Sequence, residues 1–149
     1  MALSLLPDTI NERLYSVGRL DFLSCGLIFF TNDGSFASRL GHPSCELEKE
    51  YIVEATGVIQ NEVVDAFNSG IEIEGEYYKA KNVEKTGRKS LRIILIEGKN
   101  REIRRVFSHF HLHPSLLQRV RIGSVRLGDL SQGVSRPLTN IELKELNSW

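Results

Sequence analysis

The sequence predicts an α+β fold, with a mixed, mainly antiparallel sheet and helices packed on it. Three observations predict it. Apolar residues switch repeatedly between a period of two and a period near 3.6 along the chain. Two alternating segments in the middle follow one another across only a four-residue turn, "TGRK". Regular strand–helix–strand units are too few for a doubly wound parallel sheet. With 149 residues, of which 41% are hydrophobic and 26% charged, the chain reads as one globular domain over residues 1–149. Such a chain buries about two-thirds of its extended surface.

The elements follow in order. Gly26 to Thr31 is a continuous apolar run, short enough for one buried strand. Asn32-Asp33-Gly34 supplies turn and cap chemistry for a short helix from Ser35 to Leu40, which Gly41-His42-Pro43 ends. "EKEYIVEATG", Glu48 to Gly57, sets Tyr51, Val53 and Ala55 on one face and Glu50, Ile52 and Glu54 on the other, the pattern of a half-buried strand. In "QNEVVDAFNSG", Val63, Val64 and Phe67 fall at helical spacing and Gly70 serves as the C-terminal cap. Glu76 to Thr86 and Lys89 to Glu97 then read as an antiparallel pair of strands. A helix follows in "KNREIRRVFSHFHLHP", and "RVRIGSVRLGDL" alternates again. "LTNIELKELNS" opens with Thr139 and places Glu142 three residues on, a capping box. The expected order is β-α-β-α-β-β-α-β-α.

Composition narrows the function. The formal net charge is +0 and the pI ≈ 6.9, so any contact with a polyanion must come from a local patch rather than from the domain as a whole. No apolar run approaches the roughly 20 residues of a membrane span. The opening "MALSLLPDTINERLYSVG" has no secretory pattern. Cys25 and Cys45 form no disulfide framework, which points to a reducing cytoplasm. His109, His111 and His113 are broken by Pro114 and have no acid or cysteine in register, so no metal site is expected. Ser24 lacks a hydrolase elbow around it, and nothing marks Cys25 as a catalytic thiol.

The helix after Gly98 has two faces. Ile103, Val106, Phe107 and Phe110 mark the one that packs on the sheet. Arg101, Arg104, Arg105 and Ser108 share that spacing with an offset of two residues, about 200° round the axis, and so lie opposite. Lys99 and the free amides after Gly98 add to the positive end of the helix. Such a face is either solvated and paired with Glu97 or Glu102, or an anion site. Three arginines without an acid tilt it toward an anion, and the planar guanidinium suits phosphate. "VGRLDFLSCGLIFFTNDG" raises a parallel question, because Asp21 stands between a basic residue and the mouth of the core. A turn or cap acid is one reading and a nucleophile is the other.

Together these segments resemble the pseudouridine synthases, in particular the RsuA-like branch that modifies ribosomal RNA. Its first motif is similar to Gly18-Arg19-Leu20-Asp21, Ser24 and Gly26-Leu27-Ile28-Phe29-Phe30-Thr31-Asn32-Asp33-Gly34. The second, K-x-Y-x-V, stands here as Lys49-Glu50-Tyr51-Ile52-Val53, and the third as Glu97-Gly98-Lys99-Asn100-Arg101-Glu102-Ile103-Arg104-Arg105. The stretch from Arg121-Ile122-Gly123 through Leu138-Thr139 to Glu142 looks like the family's ending. The likeness runs from Val17 to Leu146. It departs from the pattern in two ways. Glu102 stands where glutamine is usual, and neither the K-P-x-G strand nor the small S4-like RNA-binding domain precedes the first motif. The catalytic domain is therefore expected to be truncated at its N-terminal edge.

The resemblance implies isomerisation of a specific uridine to pseudouridine in structured RNA, with 23S rRNA favoured, after the base has been flipped out. It implies Asp21 as the nucleophile or carboxylate base, Arg104 as its ion-pairing support, and Tyr51 as the platform for the base. Arg19, Lys99, Arg101 and Arg105 become candidates for RNA phosphates. No cofactor is implied. RNA is the expected partner, with no membrane, for a cytoplasmic monomer. Two competing expectations are an idle RNA-binding remnant, suggested by the missing segment and neutral charge, and a carboxylate-dependent nucleoside hydrolase.

Overall fold

The computed structural model describes residues 2–99 and 101–149. Its strands are β1 (Tyr15–Val17), β2 (Cys25–Gly26), β3 (Phe29–Thr31), β4 (Lys49–Ala55), β5 (Ile71–Ile73), β6 (Glu76–Tyr78), β7 (Asn82–Gly87), β8 (Ser90–Leu95), β9 (Pro114–Ile122) and β10 (Val125–Arg126). The α-helices are α1 (Gly34–Gly41), α2 (Asn61–Ser69), α3 (Glu102–His109) and α4 (Asn140–Asn147). Short 3₁₀ turns cover Ala2–Leu5 and Pro43–Cys45.

The alternating strand read at Glu48 to Gly57 becomes β4, the centre of a six-stranded sheet ordered β10-β9-β4-β8-β7, with β2 beside β9. Both neighbours of β4 are antiparallel to it, and only β2 runs parallel to its partner. The sheet is thus mixed and mainly antiparallel, as the sequence predicts. Two small ribbons, β1–β3 and β5–β6, stand outside it.

One core lies where α2 and α3 cover the sheet face bearing Val53, Ile93 and Leu117. Phe67 and Phe107 meet there with ring centroids 6.2 Å apart. The apolar face read on α3 is the one that is buried, through Ile103, Val106 and Phe107. A second core gathers Val17, Leu27, Phe29, Leu40, Ile122, Val125 and Leu146 from β1, β3, α1, the end of the sheet and α4. The expected caps are present. Asp33 Oδ1 accepts from the amides of Ser35 and Phe36 at 2.9 and 3.0 Å. Thr139 and Glu142 form the reciprocal box on α4.

Three expectations need correction. The run Gly26 to Thr31 is not one strand. Gly26 adopts φ +115 so close to β9 that a Cβ would sit 2.2 Å from the Arg119 carbonyl oxygen. There the chain leaves the large sheet as β2 and enters the ribbon with β1 as β3. Glu76 to Thr86 is also divided. Glu74 and Gly75 both take positive φ, +51 and +82, and close a tight β5–β6 hairpin before the chain passes to β7. Finally, Arg101 is not helical. It stands before α3 at φ +53.

The outward face of β4 is charged but not bare. Glu50 is only 5% exposed because Arg121 and Arg92 lie across it, at 2.7 and 3.6 Å. Arg121 also reaches Glu48 at 3.1 Å, and Lys81 and Arg92 extend the ladder to Glu48 and Glu84. Among the described residues, no helix is long and apolar enough to cross a membrane.

Candidate active site

Asp21 lies at the first position of a tight turn, whose Ser24 amide donates to the Asp21 carbonyl at 2.9 Å. Its side chain is half-buried. Among the described residues no hydrogen bond or ion pair reaches its carboxylate. A turn acid usually spends its oxygens on neighbouring amides; this one does not.

The turn is held from outside, by two arginines on different elements. Arg104, half-buried on α3, donates through Nη2 to the Leu23 carbonyl at 2.8 Å and lies 3.5 Å from Ser24 Oγ. The spacing that put Arg104 opposite the core face therefore sends it to the Asp21 turn, 81 positions away from Leu23 in the chain. It does not form the expected ion pair with Asp21. Its guanidinium is engaged by the turn's backbone, and its Nε is buried without a partner.

Arg119, which the sequence reading did not single out, is the second. It is 2% exposed on β9, donates from Nε to the Leu27 carbonyl at 2.8 Å and from Nη1 to the Arg19 carbonyl at 3.2 Å. It thereby holds both ends of the segment that carries Asp21. Its Nη2 is buried and unpartnered. The available signal was an arginine at an inward position of the alternating segment "RVRIGSVR". Nothing in the sequence shows that its partners are backbone carbonyls nearly a hundred residues away.

Tyr51 pairs in register with Arg119 across β4 and β9, and with Ile93 across β4 and β8. Directly opposed residues share a sheet face, so the tyrosine, half-buried, lies beside the arginine that clamps the Asp21 segment. Lys49, two residues before Tyr51, points to the same face. Burial holds its pKa below the usual lysine value, and the Arg119 charge adds to the effect. Neither cation has an acidic partner among the described residues. The sheet face beside the clamped segment is thus positive.

The remaining candidates divide. Arg19 and Arg101 are exposed. Arg105 is exposed and donates to the Tyr78 hydroxyl at 3.0 Å. Lys99 turns to the β5–β6 hairpin, where it bonds the Tyr77 carbonyl, lies over the rings of Tyr77 and Tyr78, and comes within 3.6 Å of Glu97 and 3.9 Å of Glu76. Its charge is largely answered within the protein. Asn100, in the third motif, lies outside the described residues. Glu102, a partner for the arginines if their face were solvated, is instead 3% exposed, and no ion pair reaches it among the described residues. Burial, with the charge of Glu97 adding to it, pushes its pKa up to about 7.

A separate cavity of roughly 880 Å³ is lined by residues that include Glu46, Glu48, Tyr77, Lys79, Lys81 and Trp149. It contains none of Asp21, Tyr51 and Arg104. Its volume does not mark it as the centre of chemistry, because Glu48 and Lys81 within it answer each other. The Asp21 turn combines an uncommitted carboxylate, an aromatic face and fixed cations, the parts a carboxylate-dependent reaction on a polyanionic substrate requires.

Comparisons with known proteins identify the family. The sequence pattern of the family described as RNA pseudouridylate synthase matches residues 2–109. An "Uncharacterized RNA pseudouridine synthase" of Borreliella burgdorferi is 43% identical over 143 residues, 95% of this chain and 57% of that protein. The "Dual-specificity RNA pseudouridine synthase RluF" of Escherichia coli is 37% identical over 143 residues, 95% of this chain and 49% of its own. The chain thus spans about half the length of these relatives. A solved structure titled "Crystal structure of pseudouridylate synthase" superposes with a TM-score of 0.91 at 28% identity, covering 97% of this chain and 64% of that one. The chain belongs to the RNA pseudouridylate synthase family, in its RsuA-like branch.

Proposed function

We propose that this chain converts a specific uridine to pseudouridine in structured RNA, with large-subunit (23S) ribosomal RNA as the favoured substrate. The reaction breaks the N1–C1′ bond, turns the base and joins C5 to C1′, with a proton leaving C5 and one arriving at N1. It is redox-neutral and calls on no cofactor. The observation that carries the reading is the Asp21 carboxylate, without a partner among the described residues, in a segment that Arg104 and Arg119 hold by its backbone.

Asp21 acts as the ionised nucleophile or base toward the flipped nucleotide. Arg104 fixes the turn through the Leu23 carbonyl and pairs with Asp21 once substrate reorganises the site. Tyr51 lies against the base, since an aromatic face holds an extruded pyrimidine well. Arg19, Arg101 and Arg105 meet phosphates, a term that weakens with salt. Lys99 contributes less, being occupied by Glu76 and Glu97. Residues 1–149 constitute the catalytic domain, working as a cytoplasmic monomer. The relatives named as ribosomal large subunit synthases, such as the RluB of Haemophilus influenzae at 36% identity over 126 residues, support the choice of RNA.

The test is release of tritium from ribosomal RNA labelled at uridine C5, with analysis of the products. Release with pseudouridine as product is expected. RNA binding without release would identify an RNA-binding remnant, and free uracil would identify a hydrolase.

A further inference from the structure

A chain that grips RNA with a formal net charge of +0 carries as many acids as cations, and where those acids stand matters. Three of them, Glu72, Glu74 and Glu76, fall in the β5–β6 hairpin, and all three are exposed. The hairpin stands outside the large sheet but is anchored, because Ile71 and Ile73 pack on the core that α3 covers. Its register pairs Ile71 with Tyr78, Glu72 with Tyr77 and Ile73 with Glu76. Glu76 therefore shares the anchored face, and Glu72 lies on the opposite one.

Two of the candidates for RNA phosphates turn to this hairpin. Lys99 bonds the Tyr77 carbonyl, lies 5.9 and 5.7 Å from the ring centres of Tyr77 and Tyr78, and has Glu76 Oε2 at 3.9 Å. Arg105 donates to the Tyr78 hydroxyl at 3.0 Å. That bond, with the charges of Glu74 and Glu76 adding to it, holds the Arg105 pKa above its usual value.

We infer that Glu76, helped by Glu74, is a specificity-determining residue: an internal anion set against the cations that RNA phosphates must take. This rests on the RNA substrate proposed above. Phosphate contacts are offered equally by every RNA and carry no sequence information. An enzyme that converts one uridine among many gains discrimination by cancelling part of that common term. An exposed ion pair such as Lys99–Glu76 is weak and yields to a competing anion. A phosphate displaces the carboxylate when the shape of the whole RNA holds it at Lys99, and a loosely placed phosphate is turned away.

The test is filter binding of the full chain to polyuridylate, an unstructured polyanion, at about 50 to 200 mM salt. Glu76→Gln should bind it about threefold or more tightly than wild type at the lower salt, with a salt slope steeper by about one. Glu72→Gln removes the same charge from the opposite face and should stay within about 1.5-fold of wild type. In a Lys99→Ala background the gain from Glu76→Gln should disappear. Both glutamates are exposed, and matched melting of the variants keeps folding out of the comparison. Glu76→Gln binding like wild type, an equal gain from Glu72→Gln, or a gain that survives in Lys99→Ala would each overturn the inference. So would polyuridylate left unbound by wild type and variants alike. Binding does not need the reaction, so a wild type that binds but releases no tritium from ribosomal RNA would sink the synthase reading alone.

Discussion

Asp33 and Asp21 occupy turns in the same stretch of chain, and their carboxylates meet opposite fates. Asp33 gives one oxygen to two amides at the start of α1. Around Asp21, the arginines that approach bond to the backbone of the turn and leave the carboxylate alone. The first acid is consumed by structure, whereas the second is held in place with its oxygens free. Glu50 and Glu102 repeat the contrast among buried acids. Glu50 lies under two arginines, whereas no ion pair reaches Glu102 among the described residues. Burial alone therefore does not decide whether a carboxylate is bonded or left free. What decides it is whether the surrounding donors are spent on the side chain or on the main chain.

The largest effect should come from the free acid. Asp21→Ala is expected to lower single-turnover tritium release by at least about 10³, since under the proposed function it removes the reacting group. Its melting temperature should match wild type, because no bond to the carboxylate is lost. Arg104→Ala comes next. Loss of the grip on the Leu23 carbonyl, and of a cation beside the reacting carboxylate, should cost about 10² in rate, most of it in kcat. Arg104→Lys should recover little, because a point charge does not replace the guanidinium fork.

Glu102 sharpens the contrast through pH. Its folded-state pKa is raised from 4.5 to about 7, so the folded protein holds a proton that the unfolded chain has already released between those values. Wild-type stability should accordingly fall as pH rises through that window. Glu102→Gln, which cannot ionise, should be no more stable than wild type at pH 4 and more stable above pH 7, by roughly 3 kcal/mol at most. Urea unfolding at several pH values measures it. Asp33→Ala is the smallest effect. It should cost about 1 kcal/mol of stability for the lost cap while leaving tritium release near wild type.

Much of this was legible locally. The Asp33 cap, the Thr139–Glu142 box, the α2 pattern and the two faces of α3 depend on neighbours within a few positions, and the structure contains each of them. What sequence periodicity could not show depends on partners far along the chain. Gly26 breaks the apparent strand only because β9 lies against it, and Arg119 reads as one more strand residue until Arg19 and Leu27 fold over it. Glu102 is a possible surface partner of the arginines in the sequence, whereas its position at the first turn of α3 buries it beside Glu97 and Lys79. The Asp21–Arg104 relation was legible as a motif but differs in detail, the arginine bonding the turn rather than the carboxylate.

The central claim is that Asp21, free of structural duties, faces an extruded uridine. The structure of Asp21→Asn bound to the RNA that the wild-type chain modifies tests it most directly. The account predicts one uridine out of its stack, its C1′ beside residue 21 and its base against Tyr51. A target uridine still stacked in the RNA, or bound in the cavity by Tyr77 and Trp149, would contradict it.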